Sequence, residues 1–125
     1  MDENELSYTV IGAAIEVHTI LGPGLLESVY EQAMCHELDL KGIKFLRQQI
    51  VPINYKQAKL ITDLRLDLMV EDKLIVELKA KEIIPPIDRL KLLTYLRLSN
   101  KKLGLLINFH VPILKNGIER IVNGL

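Results

Sequence analysis

The first third of the chain shows apolar side chains at helical spacing. An apolar stripe beginning at Val10 predicts a helix over residues 7–20, and another beginning at Leu26 predicts a helix over residues 25–41. The Gly22-Pro23-Gly24 segment separates them, because glycine permits positive φ and proline cannot continue a helix. The chain is therefore expected to begin with two consecutive helices.

From residue 43 the pattern changes from helical spacing to alternation. Two series of positions alternate here, one from Phe45 to Tyr55 and the other from Lys44 to Pro52, which predicts a strand over residues 43–55. Pro52 places that strand at a sheet edge or at a bulge. Residues 60–70 and 74–80 are expected to form two further strands. Because only short turns join the three strands, they are predicted to form an antiparallel meander.

The last third contains a helix and a buried strand. Residues 87–98 are predicted to form the helix, and the nearly continuous apolar run over residues 103–109 is typical of a buried parallel strand. The tail from Pro112 contains a short element whose type the pattern leaves open. The inward-facing residues of the helix are expected to be Leu90, Leu93, Tyr95 and Leu96.

The predicted element order is α-α-β-β-β-α-β, in one domain over residues 1–125. This order predicts an α+β fold in which helices flank a mixed four-stranded sheet. Hydrophobic residues make up 49% of the chain, which is enough for a sizeable core.

Several features are typical of an intracellular protein. The single cysteine, Cys35, cannot form an internal disulfide, and its place on a predicted helix indicates buried packing. The acidic N-terminus lacks the basic and apolar segments of a signal peptide. No apolar run approaches the roughly 18 residues that a membrane span requires. A cytoplasmic location without membrane association is therefore expected.

The net charge is zero, but the charges are unevenly distributed. Residues 1–40 contain eight acidic side chains and no Lys or Arg, whereas residues 41–125 contain the other eight acids and all sixteen bases. From Arg89 onward, seven bases accompany the single acid Glu119. A basic half of this kind can present a phosphate-binding face, although charge alone favours an ordinary solvated surface.

The candidate chemistry lies in the second predicted hairpin. Glu77 and Lys79 point to one face of their strand, because side chains alternate with a period of two. The turn over residues 71–73 folds Asp67 back towards Glu77, so three ionisable groups would meet on a very apolar sheet. Two carboxylates suit Mg²⁺, and a neighbouring lysine could orient or deprotonate a metal-bound water. By spacing alone, a structural triad in which Lys79 pairs with Asp67 or Glu77 is an equal alternative.

The wider pattern resembles the PD-(D/E)XK nuclease superfamily. Asp67, nine intervening residues and then Glu77-Leu78-Lys79 look like its Asp…(Asp/Glu)-x-Lys signature, and the predicted order is similar to its α-β-β-β-α-β core with one extra helix in front. Residues 24–30 (Gly-Leu-Leu-Glu-Ser-Val-Tyr) resemble the Gly-x-x-Glu-x-x-Tyr motif of the bacterial GxxExxY family. The resemblance covers about residues 11–125. Further matching segments are Val17-His18, Leu21-Gly22-Pro23-Gly24, Arg65-Leu66-Asp67 and Leu92-Leu93-Thr94-Tyr95-Leu96.

This resemblance implies a metal-dependent nuclease of the restriction-endonuclease-like fold. Glu27, Asp67 and Glu77 would bind the metal ion, which is expected to be Mg²⁺ with Mn²⁺ as a substitute. Lys79 would be the catalytic lysine. Tyr30 lies one helical turn after Glu27 and would either support that acid by a hydrogen bond or serve as a core aromatic residue.

Other positions are assigned supporting roles or depart from the family's pattern. Arg65 is a supporting candidate because it belongs to the matching Arg-Leu-Asp segment. Lys91 stands where relatives usually have glutamine, and Asp88 stands where they commonly have histidine. Lys91 could still contact a phosphate as a point charge, although the change puts full activity in question. Nucleic acid is expected to bind through Arg89, Lys91 and Arg97.

Two functional hypotheses follow. The first is a metal-dependent hydrolase of phosphodiester bonds, with DNA as the expected substrate and RNA or a small nucleotide as a weaker alternative. The second is a catalytically inactive nucleic-acid-binding or assembly module that keeps the nuclease fold. Because one small domain has little surface for reading sequence, we expect weakly specific cleavage, or a homodimer that places two centres on two strands.

Overall fold

The structure, a computed structural model, describes residues 1–125 as three α-helices, one short 3-10 helix (Leu114–Gly117) and seven strands. The helices are α1 (Glu3–Leu21), α2 (Glu27–Leu40) and α3 (Pro86–Ser99). The strands are β1 (Phe45–Val51), β2 (Asn54–Tyr55), β3 (Ala58–Lys59), β4 (Leu64–Val70), β5 (Leu74–Lys79), β6 (Leu103–Asn108) and β7 (Ile118–Val122).

Helix α1 begins one turn earlier than the hydrophobic pattern predicts. The Asp2 side chain accepts a hydrogen bond from the Glu5 N–H at 2.8 Å, and the Glu5 side chain accepts one from the Asp2 N–H at 3.2 Å. This reciprocal cap satisfies N–H groups that have no partner inside a helix, so the polar first turn is helical as well. The helix ends at Leu21, and its C-cap residue Gly22 has a φ of 73°.

A five-stranded mixed sheet in the order β1-β4-β5-β6-β7 forms the centre of the fold. Only β5 and β6 are parallel, and α3 connects them, so the prediction of a buried parallel strand is confirmed. The α+β class is also confirmed, but the prediction of four strands is wrong. The tail supplies a fifth strand, β7, which pairs antiparallel with β6. By covering β6, it keeps that apolar strand away from an open sheet edge.

The predicted strand over residues 43–55 is interrupted at Pro52. Strand β1 ends just before this proline, which has no N–H to donate to a ladder. The chain then forms a separate two-stranded ribbon from β2 and β3. Its two turn residues, Lys56 and Gln57, both have positive φ, as two-residue hairpin turns of this kind require.

Hydrophobic clusters lie on both faces of the sheet. Helices α1 and α2 bury one face against the larger cluster, and α3 covers the other face with a smaller one. In α3, Leu92 and Leu96 are buried, whereas Leu90, predicted to face inward, is 58% exposed. Leu92 packs directly over Gly104 of β6, where an added Cβ would lie 2.9 Å from a Leu92 methyl carbon.

Cys35 and His18 have side chains that can be reactive, but both are buried in helices and serve the packing of the fold. Cys35 is a free, buried residue of α2, in agreement with the prediction. His18 is buried in α1, and its Nε2 donates a hydrogen bond to the Val111 carbonyl oxygen at 2.8 Å, which ties α1 to the segment after β6. Among the three helices, none combines the length and the apolar character needed to cross a bilayer.

Candidate active site

Strands β4 and β5 part where Asp67 and Glu77 would face each other. Their last paired residues on this side are Leu68 and Val76. Beyond that pair, Asp67 Oδ2 accepts a hydrogen bond from the Leu78 N–H at 2.9 Å, and the Asp67 N–H lies 3.5 Å from Glu77 Oε1. Side-chain carboxylates therefore replace the backbone ladder, and the opening brings both acids together.

A kink in β4 and β1 accompanies this opening. Leu66 belongs to the cluster under α3, whereas Leu68 belongs to the cluster under α1 and α2, although residues two apart normally share a face. Opposite Asp67, Gln48 of β1 is skipped by the ladder and has a φ of 53°. The change of face is therefore centred on the position of Asp67.

Glu77 is buried beside Asp67 and is only 7% exposed. Burial, followed by the negative charge of Asp67 and a hydrogen bond with its side chain, raises the pKa of Glu77 to about 9. Two adjacent carboxylates, one buried and the other half-buried, are unfavourable without a cation, because desolvation and mutual repulsion both oppose ionisation. The pair therefore has the electrostatic character of a cation site.

Lys79 is half-buried on the same strand face as Glu77. It takes part in none of the four ion pairs of the structure, so the alternative of a salt-bridged triad finds no support. Together, Glu77 and Lys79 line a recess between β5 and α3. The other lining residues are Asp88, Lys91, Leu92, Tyr95 and Leu106.

Glu27 is the first residue of α2, and its side chain is largely exposed. Partial burial and then the charge of Asp67 raise its pKa, while Lys79 and Lys81 act in the opposite direction. The predicted acid therefore lies within electrostatic range of Asp67 and of both lysines.

The donor groups fit a divalent cation only in part. No three His, Cys, Asp or Glu side chains lie close enough together to form a metal site by themselves. Asp67 and Glu77 nevertheless offer adjacent carboxylate oxygens, the ligand type that Mg²⁺ prefers, and Mg²⁺ commonly keeps several waters as its remaining ligands. The donor chemistry thus fits a hard cation at the pair, with Glu27 as a neighbouring third acid.

Two roles were predicted for Tyr30, and the first of them, a hydrogen bond to Glu27, is absent from the structure. Its hydroxyl donates to the Gly22 carbonyl oxygen at 2.6 Å and accepts from the Leu25 N–H at 3.1 Å. Its ring stacks on Phe109 with 4.4 Å between the centroids. Tyr30 is the core aromatic residue of the alternative prediction, and it braces the turn that leads into Glu27.

The basic residues that were predicted to support the site or to bind nucleic acid lie at separate places in the structure. Arg65 is exposed on β4, two residues before Asp67. Lys91 lines the recess, whereas Arg89 is ion-paired with Glu119 of β7. Positions 89 and 91 differ by about 200° around a helix, so these side chains leave α3 on opposite sides. Arg97 is exposed in the last turn of α3.

Sequence reasoning missed one polar group beside Asp67. Gln48 Nε2 donates to Glu31 Oε1 of α2 at 2.6 Å and lies 3.4 Å from Asp67 Oδ1. Glu31 also accepts from Arg47 Nε at 2.7 Å. The only trace of this network in the sequence is the polar Arg-Gln-Gln segment within an otherwise apolar strand.

A second missed group lies on the α3 side of the recess. Asp88 is buried and pairs with Lys81 at 3.0 Å. Lys81 follows Lys79 by two residues, so extending the period of two beyond the strand would have placed it on the same side. Asp88 was noted in the sequence only as a departure from the family's pattern.

Comparison with known proteins supports a nuclease ancestry. A family model of the PD-(D/E)XK nuclease superfamily matches residues 4–121, nearly the whole chain. No curated protein and no solved structure matches the chain. Nucleases of this superfamily generally depend on a divalent metal ion. With its restriction-endonuclease-like α+β fold and this match, the chain belongs to the PD-(D/E)XK nuclease superfamily.

Proposed function

We propose that the protein is a metal-dependent nuclease of the GxxExxY type that hydrolyses phosphodiester bonds in DNA. The observation that carries the proposal is the opening between β4 and β5, which brings the half-buried carboxylate of Asp67 and the buried carboxylate of Glu77 together beside Lys79. An ordinary strand pair gives no reason to place a half-buried acid against a buried one, so a cation and a reaction at this place explain the arrangement.

In this proposal Asp67 and Glu77 hold Mg²⁺ or Mn²⁺, and Glu27 contributes from the start of α2. The bound ion would lower the pKa of a water and neutralise charge on the scissile phosphate. Leu78 N–H keeps the Asp67 carboxylate oriented at 2.9 Å. Lys79, which is held in no ion pair, is free to orient the attacking water or to stabilise negative charge that develops on the phosphate.

The first test is cleavage of plasmid DNA and of single-stranded DNA with Mg²⁺ or Mn²⁺. Wild type is compared with Asp67→Ala and Lys79→Ala, and Lys102→Ala is the control because Lys102 lies at the other end of the sheet, before β6. We expect cleavage by wild type and the control and none by the two site variants. Equal cleavage by all four proteins would overturn the proposal.

The second candidate is a non-catalytic module that binds nucleic acid. It is favoured by the lack of three metal-binding side chains in one cluster and by Lys91 in the place of the glutamine of relatives. Calorimetric titration with Mn²⁺ separates the two functions. A protein that binds DNA but shows no Mn²⁺ binding at Asp67 and Glu77 would be such a module.

A homodimer would supply two centres for the two strands of a duplex. We propose this arrangement for cleavage of double-stranded DNA, because one 125-residue chain contains one candidate centre. Light scattering at micromolar concentration, with and without duplex DNA, tests it. A monomer under both conditions would argue against it.

A further inference from the structure

The segment after β5 is held by the side chain of a buried residue in the neighbouring strand. The Lys81 N–H donates to Asn108 Oδ1 at 3.1 Å, and Asn108 Nδ2 donates to the Lys81 carbonyl oxygen at 2.8 Å. Asn108 is only 4% exposed and lies opposite Lys79 in the parallel pair of β5 and β6. The backbone of Lys81 is thus fixed two residues beyond the candidate catalytic lysine.

The Lys81 side chain is held from the opposite side by α3. Its Nζ lies 3.0 Å from Asp88 Oδ2, and the Asp88 side chain is 4% exposed, whereas the Lys81 side chain is 40% exposed. A buried acid that holds a partly exposed lysine fixes the position of the amine and still leaves it accessible. This differs from ordinary surface pairs, in which both side chains are mobile and solvated.

The α3 side of the recess carries more positive than negative charge. Lys79, Lys81 and Lys91 all act on Asp88: burial raises its pKa, but the hydrogen bond from Lys81 and the charges of the three lysines together lower it. Glu77 also lines this recess, but its Oε1 is directed towards the Asp67 N–H. On the α3 side, three lysines therefore surround the single carboxylate of Asp88, while Glu27 acts on Lys79 and Lys81 from the start of α2. The lysines in excess of Asp88 on this side suit an anion.

We propose that Lys81, held in place by Asp88, forms a phosphate-binding subsite next to the Glu77–Lys79 centre. The ligand class is a phosphodiester of single-stranded nucleic acid, and Lys81 contacts the phosphate that neighbours the one being cleaved. Asp88 is a positioning residue, because it acts through Lys81. This inference rests on the proposed function and adds to it the residues that place the strand.

The test is binding of a fluorescein-labelled single-stranded DNA oligonucleotide, followed by anisotropy in EDTA so that no metal-dependent cleavage occurs. The variants are Lys81→Met and Asp88→Asn. Their controls, Lys102→Met and Asp39→Asn, make the same charge changes at exposed positions towards the other end of the molecule. Thermal unfolding of each variant checks that it is folded. If Asp88→Asn is not folded, it is replaced by Asp88→Glu, which keeps the negative charge.

Lys81→Met is expected to weaken binding about tenfold relative to Lys102→Met. The slope of log affinity against log salt should fall by about 0.7, the value for one lost contact to a single strand. Asp88→Asn gives the sharper result. It makes the protein more positive, so a purely electrostatic role would tighten binding, whereas loss of positioning weakens it about threefold or more.

Equal affinities for Lys81→Met and Lys102→Met would overturn the subsite. Tighter binding by Asp88→Asn would overturn the positioning role of Asp88. Cleavage by the same proteins with Mn²⁺ separates this inference from the proposed function. If wild type binds through Lys81 but does not cleave, the nuclease proposal fails and the subsite stands. If wild type cleaves and Lys81→Met has the KM of Lys102→Met, only the subsite fails.

Discussion

The Asp67 carboxylate accepts a hydrogen bond from the backbone N–H of Leu78 at 2.9 Å, just beyond Leu68 and Val76, the last paired residues of β4 and β5. The side chain thus takes the place of a backbone acceptor, and the strands can separate without leaving that N–H unsatisfied. The separation creates room at the sheet for Glu77 and Lys79. Fold and candidate site therefore depend on the same hydrogen bond.

Replacing Asp67 with asparagine should separate these two roles. The amide oxygen of Asp67→Asn can still accept from the Leu78 N–H, so the free energy of unfolding should change by only about 1 kcal/mol. An amide is a much weaker ligand for a hard cation, so Mn²⁺ affinity and cleavage should both fall, cleavage by about 100-fold or more.

Urea unfolding, calorimetric titration with Mn²⁺ and DNA cleavage measure these effects. Asp39→Asn makes the same chemical change on the exposed surface and should leave all three unchanged. Full cleavage by Asp67→Asn would remove this residue from the proposed metal site.

Glu77 should make the stability of the metal-free protein depend on pH. Its pKa in the folded protein is about 9, against an ordinary value of 4.5. Between these values the folded state binds one more proton than the unfolded state, so the free energy of unfolding falls as pH rises. The contribution is complete below about pH 4.5 and is lost as pH rises through about 9.

Urea unfolding in EDTA at pH 6 and pH 8 measures this dependence. We expect the wild type to lose about 2–3 kcal/mol between the two, and Glu77→Gln, which cannot titrate, to lose less. Because the two proteins differ only at position 77, the difference between their pH dependences isolates Glu77. Added Mn²⁺ should restore stability to wild type at pH 8 but not to the variant. If the free energies of unfolding of wild type and Glu77→Gln changed by the same amount between pH 6 and pH 8 in EDTA, the raised pKa of Glu77 would be contradicted.

The Tyr30 hydroxyl should contribute to stability through the turn between α1 and α2. Tyr30→Phe keeps the stack on Phe109 but removes the partner of both the Gly22 carbonyl and the Leu25 N–H. The free energy of unfolding should fall by about 1–3 kcal/mol, because these groups lose a buried partner. Tyr8→Phe is the matched control, since Tyr8 is 82% exposed in α1 and should show no effect. An equal result for both variants in urea unfolding would exclude this role.

Patterns that depend on local periodicity were predicted well. Glu77 and Lys79 share a strand face because of a period of two, and the apolar run of β6 identified a buried parallel strand. Features that depend on distant partners were not. The tail becomes β7 because β6 has an open edge beside it, and Tyr30 turns to Gly22 because the intervening chain folds back over its hydroxyl. Nothing within either segment encodes that partner.

The kink at Asp67 was also beyond the sequence pattern. It lies opposite Gln48, a residue type that carries no signal for its positive φ of 53°. Strand alternation predicts Leu66 and Leu68 on one face, yet they belong to different clusters. The kink therefore had to be observed in three dimensions.

Gln48 provides the last prediction, because it combines an unfavourable backbone conformation with a contact to the site. Its φ of 53° is costly for a residue with a side chain, and its amide joins Glu31 to Asp67. Strain of this kind persists where the surroundings require it. We therefore expect Gln48 to orient the Asp67 carboxylate.

Gln48→Ala and Gln48→Gly both remove the amide, but only glycine relieves the backbone. Both should weaken Mn²⁺ binding and lower cleavage by similar factors, about tenfold, because Asp67 loses the same neighbour in each. In urea unfolding, the glycine variant should be more stable than the alanine variant by about 1 kcal/mol. If alanine were as stable as glycine, the positive φ would carry no cost. If both variants cleaved DNA like wild type, the Gln48 amide would serve only to join β1 to α2.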